Sequence, residues 1–536
     1  MPSLNWIGKD EVLRYNPPYH TLEKKYTFNS RNDTSENMII KGDNLLALKA
    51  LLPQYENKIK CIYIDPPYNT GNENWVYNDN VNSPKIKKWL GEVVAKDDLS
   101  RHDKWLCMML PRLKLLHRLL SDDGVIFISI DDNEMANLKL LCDEVMGGGN
   151  FVANLPTIMN LKGNNDEFGF SGTHEYTIVY AKNKNSLKLG EFDIDNDELN
   201  EWQEDDIGFF KQGANLKSTG INAPREKRPN LYFPIFIDEN NKVYVTDDNL
   251  PPNIKNIETI YPITNGIEMS WRWSKDKIKN DINDIIVSRN SGISIYKKQR
   301  PTLGDMPSKK PKTLFYKPTY SSGNGTTQIK NIFGYKFFET PKPLDLIKDF
   351  LQISTDKNSI ILDSFAGSGT TAHAVLELNK KDGGNRKFIL VEMEDYAENI
   401  TAERVRRVIK GYGKEPENSA TGGDFSFYEL GDRLLLENGN LNEKVSIEKI
   451  REYIYFSETK EKCEQNDNDF LGECNGVAYY FIYKKDDITT LDFEYLAKLK
   501  KASSYVIYAD VCVLSDETMM KYNITFKKIP RDIKKV

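Results

Sequence analysis

The chain has 536 residues, 39% hydrophobic and 28% charged, with a net charge of −6. That length exceeds one ordinary core and predicts two or three domains, while the mild negative charge argues against coating nucleic acid by bulk electrostatics and leaves a local basic surface open. The longest apolar runs are strand-sized, so an intracellular protein without a membrane span is expected, and the six cysteines (Cys61, Cys107, Cys142, Cys463, Cys474 and Cys512) lack CxxC pairing, which argues for buried thiols rather than a zinc cluster or disulfides.

In chain order, residues 38–52 read as a short strand, a polar turn and a helix. Residues 59–64 form an apolar strand that stops at two prolines. Trp105, Met109, Leu113, Leu116 and Leu120 make one stripe at helical spacing, in a helix that Pro111 is expected to kink. A strand at 124–130, a helix at 134–146 and a strand at 174–182 follow. From about 185 to 335 the rhythm breaks into Asn-, Lys-, Asp- and Pro-rich sequence. It resumes with a helix in 341–352, a strand at 359–362, a helix, and a strand at 387–394. Alternation of this kind predicts an α/β fold with a mostly parallel sheet, its two halves separated by an insertion. The expected domains are 1–184, 185–335, 336–430, and a small C-terminal α/β domain, 431–536, with strands at 477–483 and 505–514 around a helix at about 491–502.

Two motifs carry chemistry. Asp65-Pro66-Pro67-Tyr68 directly follows a buried strand, where ligands of open α/β sheets bind. An amino group conjugated to an aromatic ring is a poor nucleophile, because its lone pair is delocalised. The Asp65 carboxylate and the Pro66 carbonyl suit the two amino hydrogens, and paired prolines hold those acceptors in place before reaction. Tyr68 offers a face on which an extruded base can stack. The plain alternative is a diproline turn with a surface tyrosine. The second motif is 363-DSFAGSGTT-371, an apolar strand followed by Gly367, Gly369 and a helix, without the lysine of a phosphate loop. Glu392 ends the next strand, 29 residues after Asp363, where a carboxylate suits a ribose; the alternative is a solvated strand end.

Together these motifs resemble the β-group amino-methyltransferases of DNA, especially the modification subunits of type III restriction systems. Residues 4–23, 61-CIYIDPPYNTG-71, 103-DKWLCMMLPRL-113, 124-GVIFISIDDNE-134, 174-HEYTIVYAK-182, 340-TPKPLDLI-347 and the FAGSGTT loop carry the resemblance. The catalytic motif precedes the glycine loop by about three hundred residues, as in the circularly permuted arrangement. The resemblance implies a Rossmann-like S-adenosylmethionine-dependent sheet of seven strands, with those near 359, 388, 38, 60 and 125 adjacent in that succession and those near 150 and 175 completing it. It assigns Asp65, Pro66, Pro67 and Tyr68 to catalysis. Phe365, Gly367 and Gly369 would hold the methionine part of the cofactor, Glu392 its ribose and Asp43 its adenine. Lys342 and Pro343 match a further cofactor motif, and Asp363 belongs either to the pocket or to the turn that follows it.

Between Arg272 and Lys317 stand 12 Lys or Arg against 4 Asp and no Glu. Such a basic segment with interleaved aromatics suits double-stranded DNA, and in the resembling family it is the target-recognition domain. Arg272, Arg289, Lys297, Lys298, Arg300, Lys309 and Lys310 are the candidate contacts, with Arg289 or Arg300 at base edges; a solvated face is the alternative. The resemblance also implies a homodimer and a separate helicase-nuclease restriction subunit. The expected reaction is base flipping and direct transfer to adenine N6. Alternatives are cytosine N4, an RNA base or protein glutamine, and a silent DNA-binding subunit.

Overall fold

The computed structural model describes residues 4–70, 84–94, 99–163, 169–193, 200–290, 292–301, 307–336, 338, 340–463 and 468–536. Its main sheet is built from β1 (His20–Phe28), β2 (Met38–Lys41), β3 (Ile59–Ile64), β4 (Leu120–Ile130), β5 (Phe151–Ile158), β6 (His174–Ala181), β7 (Ile360–Asp363), β8 (Lys387–Glu392) and β9 (Phe425–Arg433). The helices that matter most for the site are α1 (Asn44–Tyr55), α2 (Arg101–Leu119), α3 (Leu344–Ser354), α4 (Thr370–Asp382) and α5 (Glu403–Lys410).

Strand β3, Ile-Lys-Cys-Ile-Tyr-Ile, is buried almost throughout, so it needs cover on both faces. Successive side chains point to opposite sides. Ile62 and Ile64 join a core with Leu48 and Leu51 of α1 and Trp105, Met109 and Leu113 of α2. Tyr63 faces the other way, where Phe350 of α3 stacks 6.2 Å from its ring and 4.7 Å from that of Phe127. Helix α2 continues through Pro111, and its start is closed by a capping box of Ser100 and Asp103.

The sheet order is β1-β9-β2-β8-β7-β3-β4-β6-β5. Strands from β9 to β4 run parallel, while β1 and β6 run antiparallel to their neighbours. All seven expected strands are present, and β1 and β9 extend the sheet to nine. Their succession needs correction at two strands, β7 and β2, which exchange places about β8: β7 lies between β8 and β3, and β2 lies outside β8. The reason is topological. Helix α4 leads the chain from β7 to β8 on one side, and α2 leads it from β3 to β4 on the other. The two halves therefore wind outward from the β7–β3 junction, where an open sheet leaves a crevice at its carboxyl edge. Leu362 pairs with Ile62, so Asp363 stands level with Tyr63 and Asp65 lies two residues further along.

The chain divides into two compact units, Glu191–Pro311 and the remainder. The expected insertion, 185–335, is therefore too long at its end. Residues beyond Pro311 are tied to the main sheet: Phe315 exchanges backbone hydrogen bonds of 3.0 Å with Pro156 and Ile158, and the Tyr320 hydroxyl bonds to Asp349 of α3. The C-terminal residues share the unit of the main sheet. Their helix, Ile447–Thr459, meets α1 through a 2.7 Å bond from Gln54 to Glu452. The helix expected at 491–502 is one turn, Phe493–Leu496. The tyrosine hydroxyls of Tyr480 and Tyr505 accept the Lys500 and Ala502 amides that a longer helix would have used.

The inserted unit has its own core of Leu216, Phe233, Ile235, Trp271 and Ile295, and the Trp271 indole donates to the Phe233 carbonyl at 2.9 Å. Its two ends pair as antiparallel strands, Ser308 with Asp193 and Lys309 with Phe192. Adjacent ends make an insertion separable. Replacing residues 191–311 by a short Gly-Ser linker should leave the other unit folded, with one cooperative thermal transition in circular dichroism. Loss of that transition would contradict the division.

Candidate active site

The turn after β3 is clamped from one side. Pro66 and Pro67 lack backbone donors and end the ladder, and the Pro67 carbonyl accepts from the buried Trp105 indole of α2 at 2.7 Å. Asn69 takes a left-handed φ of 61°, a conformation that Asn tolerates better than most residues. Its amide donates to the buried Glu134 carboxylate at 2.5 Å and to the Arg101 carbonyl at 3.2 Å. His102 Nδ1 lies 2.7 Å from the same carboxylate.

On the other side, Asp65 meets Lys342, whose ammonium lies 3.3 Å from the Asp65 carboxylate. The same ammonium donates to Glu175 at 2.7 and 2.8 Å and to the Tyr68 hydroxyl at 2.5 Å. Tyr68 in turn donates to Glu175 at 3.1 Å. Burial pushes the Asp65 carboxyl up to about 6, with Lys342 opposing the rise and Glu175 adding to it. Burial also disfavours the Lys342 charge, but the two carboxylates more than offset it and hold the ammonium above its ordinary range.

The glycine loop follows β7. Gly367 and Gly369 have φ of 51° and 82°, and a Cβ on Gly369 would stand 3.2 Å from the Thr401 carbonyl, so a side chain there meets backbone. The loop is braced from beneath. Thr401 donates to the Gly367 carbonyl at 2.6 Å, and the buried Arg404 of α5 donates to the Ser368 and Thr370 hydroxyls, both at 2.8 Å. Glu392, at the end of β8, accepts the Gly367 amide at 2.8 Å and the Glu394 amide at 3.0 Å. Asp363 accepts the Phe365 amide at 3.0 Å and the Thr371 hydroxyl at 2.6 Å. Burial raises both carboxyls to about 7.

Of the residues expected at the site, Asp65, Lys342, Asp363, Phe365 and Gly367 line one open cavity of about 400 Å³. Tyr63, Phe338, Thr340 and Thr370 complete much of its wall. Gly369 and Glu392 set the loop from outside that lining. Asp43 caps α1, accepting the Leu45 amide at 2.8 Å, with Arg112 of α2 at 3.6 Å. Asp363 thus both lines the cavity and caps its turn. Lys342 stands at the Asp65 end, against the carboxylate and Tyr68. Sequence reasoning did not single out Glu175, Arg112 or Arg404; the first lies within the HEYTIVYAK segment, which reads only as a strand.

In the inserted unit, several candidate DNA contacts serve the fold. Arg300 chelates Asp205 and bonds Asp284, and Lys298 shares Asp205. Arg289 bonds Glu258 and Asn241, and Arg272 bonds the Asn215 carbonyl and Thr219. Lys309 and Lys310 are exposed, and Lys297 is half-buried. For the main site, Trp105→Phe would remove the donor on the Pro67 carbonyl. It should cost about 1–3 kcal/mol, read as a lower denaturation midpoint; an unchanged midpoint would contradict the clamp.

The DNA methylase family profile matches residues 59–403. The type III restriction-modification enzyme EcoPI Mod subunit of Escherichia phage P1 is 47% identical over 452 residues, covering 78% of this chain and 70% of that protein. The type II methyltransferase M.KpnI of Klebsiella pneumoniae is 34% identical, covering 73% and 88%. The StyLTI Mod subunit of Salmonella typhimurium is 32% identical, covering 74% and 60%. With the Asp65 turn and the glycine loop on one cavity, the chain belongs to the DNA methylases, a family of S-adenosylmethionine-dependent enzymes, and its relatives include type III modification subunits.

Proposed function

We propose that this enzyme transfers a methyl group from S-adenosylmethionine to N6 of adenine in double-stranded DNA, as the modification and specificity subunit of a type III restriction-modification system. One observation carries this reading: Asp65 and the Gly367 loop share a single cavity although 302 residues separate them. The loop at the start of α4 suits the methionine part of the cofactor, while Glu392 and Asp43, which lie outside the cavity's lining, are assigned its ribose and its adenine by the family resemblance. When bound, S-adenosylmethionine supplies an electrophilic methyl group on sulfur.

The chain's own residues do the rest. A target base inside a duplex is unreachable, so it must be extruded, and the Tyr68 ring is the surface on which it stacks. Asp65 and the Pro66 carbonyl accept the two amino hydrogens, drawing them from the ring plane so that the lone pair points at the methyl donor. The paired prolines and the Trp105 clamp keep those acceptors from relaxing. Transfer is direct and in line. The nitrogen then carries one proton too many, and Asp65, with a carboxyl near 6, can take it and release it to water. Lys297, Lys309 and Lys310 supply phosphate contacts, while the paired Arg272, Arg289, Lys298 and Arg300 shape the reading surface. The enzyme works as a homodimer with a separate restriction subunit, and residues 431–536 provide for those contacts.

Purified enzyme given labelled cofactor and unmethylated genomic DNA should yield N6-methyladenine on digestion to nucleosides. N4-methylcytosine would overturn the base assignment, and label confined to RNA or protein would overturn the substrate. Asp65→Ala should lower turnover by at least about 100-fold while calorimetric affinity for S-adenosylmethionine is retained. Because the carboxylate must be ionised to accept, wild-type turnover should fall as pH drops through about 6. A flat acid limb or an active Asp65→Ala variant would contradict the role of Asp65.

A further inference from the structure

Lys342 touches both of the groups assigned to the target base. Its ammonium lies 3.3 Å from Asp65 and donates to the Tyr68 hydroxyl at 2.5 Å. An amino group donating to Asp65 would need the position that this ammonium holds. The shortest carboxylate contacts of Lys342 are to Glu175, at 2.7 and 2.8 Å. Both side chains retain only 12% exposure, so solvent screens the pair little. The three anchors come from separate elements: Glu175 from β6, Lys342 from the segment before α3, and Asp65 from the end of β3.

Resting on the base-methylation reading above, we infer that Lys342 is a placeholder for the target base, occupying the amino-group position at Asp65 until a base enters, and that Glu175 is the positioning residue that draws it aside. Before DNA arrives, the ammonium supplies the largest charge compensation of the buried Asp65 carboxylate, beside the Tyr68 hydroxyl; losing it without a replacement donor would be costly. On base entry the amino hydrogens replace the Lys342 hydrogen bond, and the ammonium stays charged because Glu175 still holds it. No bond is made or broken in the exchange. Glu175 also accepts from Tyr68, so the retreat of Lys342 leaves the ring fixed.

The groups facing Asp65 are Tyr63 on its own strand, Tyr68 on its turn, Glu175 from β6, Lys342, and Asp363 from β7. Removing Glu175 leaves Asp65 as the one carboxylate beside Lys342, which lowers the Asp65 carboxyl and strengthens the competing contact. Removing Lys342 has the opposite effect on both. The two substitutions should therefore move DNA affinity and the acid limb in opposite directions.

The test measures labelled methyl transfer to unmethylated genomic DNA by wild type, Glu175→Gln, Lys342→Met and the double variant, with calorimetric affinity for S-adenosylmethionine as the check on folding. Glu175→Gln should raise the KM for DNA roughly 10-fold or more and shift the acid limb to lower pH. Lys342→Met should lower the KM for DNA and shift the limb upward. The double variant should behave like Lys342→Met, because Glu175 acts through Lys342. A double variant as impaired as Glu175→Gln, or limbs that shift together, would overturn the inference. Should Glu175→Gln fail to bind cofactor, Glu175→Asp, which keeps the charge on a shorter side chain, carries the same comparison. A wild type that methylates no DNA would instead sink the underlying reading.

Discussion

Everything at this site depends on one pairing: β3 lies against β7 in parallel register, Leu362 opposite Ile62. That contact brings a turn near residue 65 and a loop near residue 367 to one sheet edge. The pairing is enforced by burial. Both strands are apolar and enclosed by helices on two faces, with α1 and α2 on one side and α3 on the other. A slip of one residue would exchange the faces of β3 and push Tyr63 into the space of Ile62. The register is therefore also what aims Asp65.

A second consequence of that burial is electrostatic. Three carboxyls, on Asp65, Asp363 and Glu392, line or support one small volume, and burial raises each of them. Hydrogen bonds from backbone amides and Thr371 partly compensate Asp363 and Glu392, whereas Asp65 is compensated by side chains, the Lys342 ammonium and the Tyr68 hydroxyl. Asp363 and Glu392 are thus tied into the glycine loop they support, whereas the partners of Asp65 come from side chains on other segments. Fixed donors suit a binding surface; an exchangeable donor suits a group that must accept hydrogens from a visiting amine.

Much of this was legible in the residues themselves. The apolar run of β3, its abrupt stop at two prolines and the glycine pair after β7 each announce a local structure. Strand order was not legible, because neighbours in a sheet are chosen by tertiary packing, and alternation along the chain is silent on which half abuts which. Glu175 escaped notice since a carboxylate at the start of a strand reads as a solvated end. Arg289 and Arg300 looked like free basic residues, but their partners Glu258, Asp205 and Asp284 lie 16 to 95 positions away along the chain. Charge counts over a segment ignore such partners. The end of the insertion was misjudged for a related reason: composition stays polar beyond Pro311 while Phe315 and Tyr320 already belong to the main sheet.

The most direct test of the central claim is a crystal structure of the enzyme with sinefungin and duplex DNA containing its modified site. The account predicts the analogue against the Gly367 loop and the flipped adenine on Tyr68, its amino nitrogen hydrogen-bonded to Asp65 and within about 3–3.5 Å of the analogue's transfer position. An analogue bound away from that loop, or an adenine amino group held by residues other than Asp65, would contradict it.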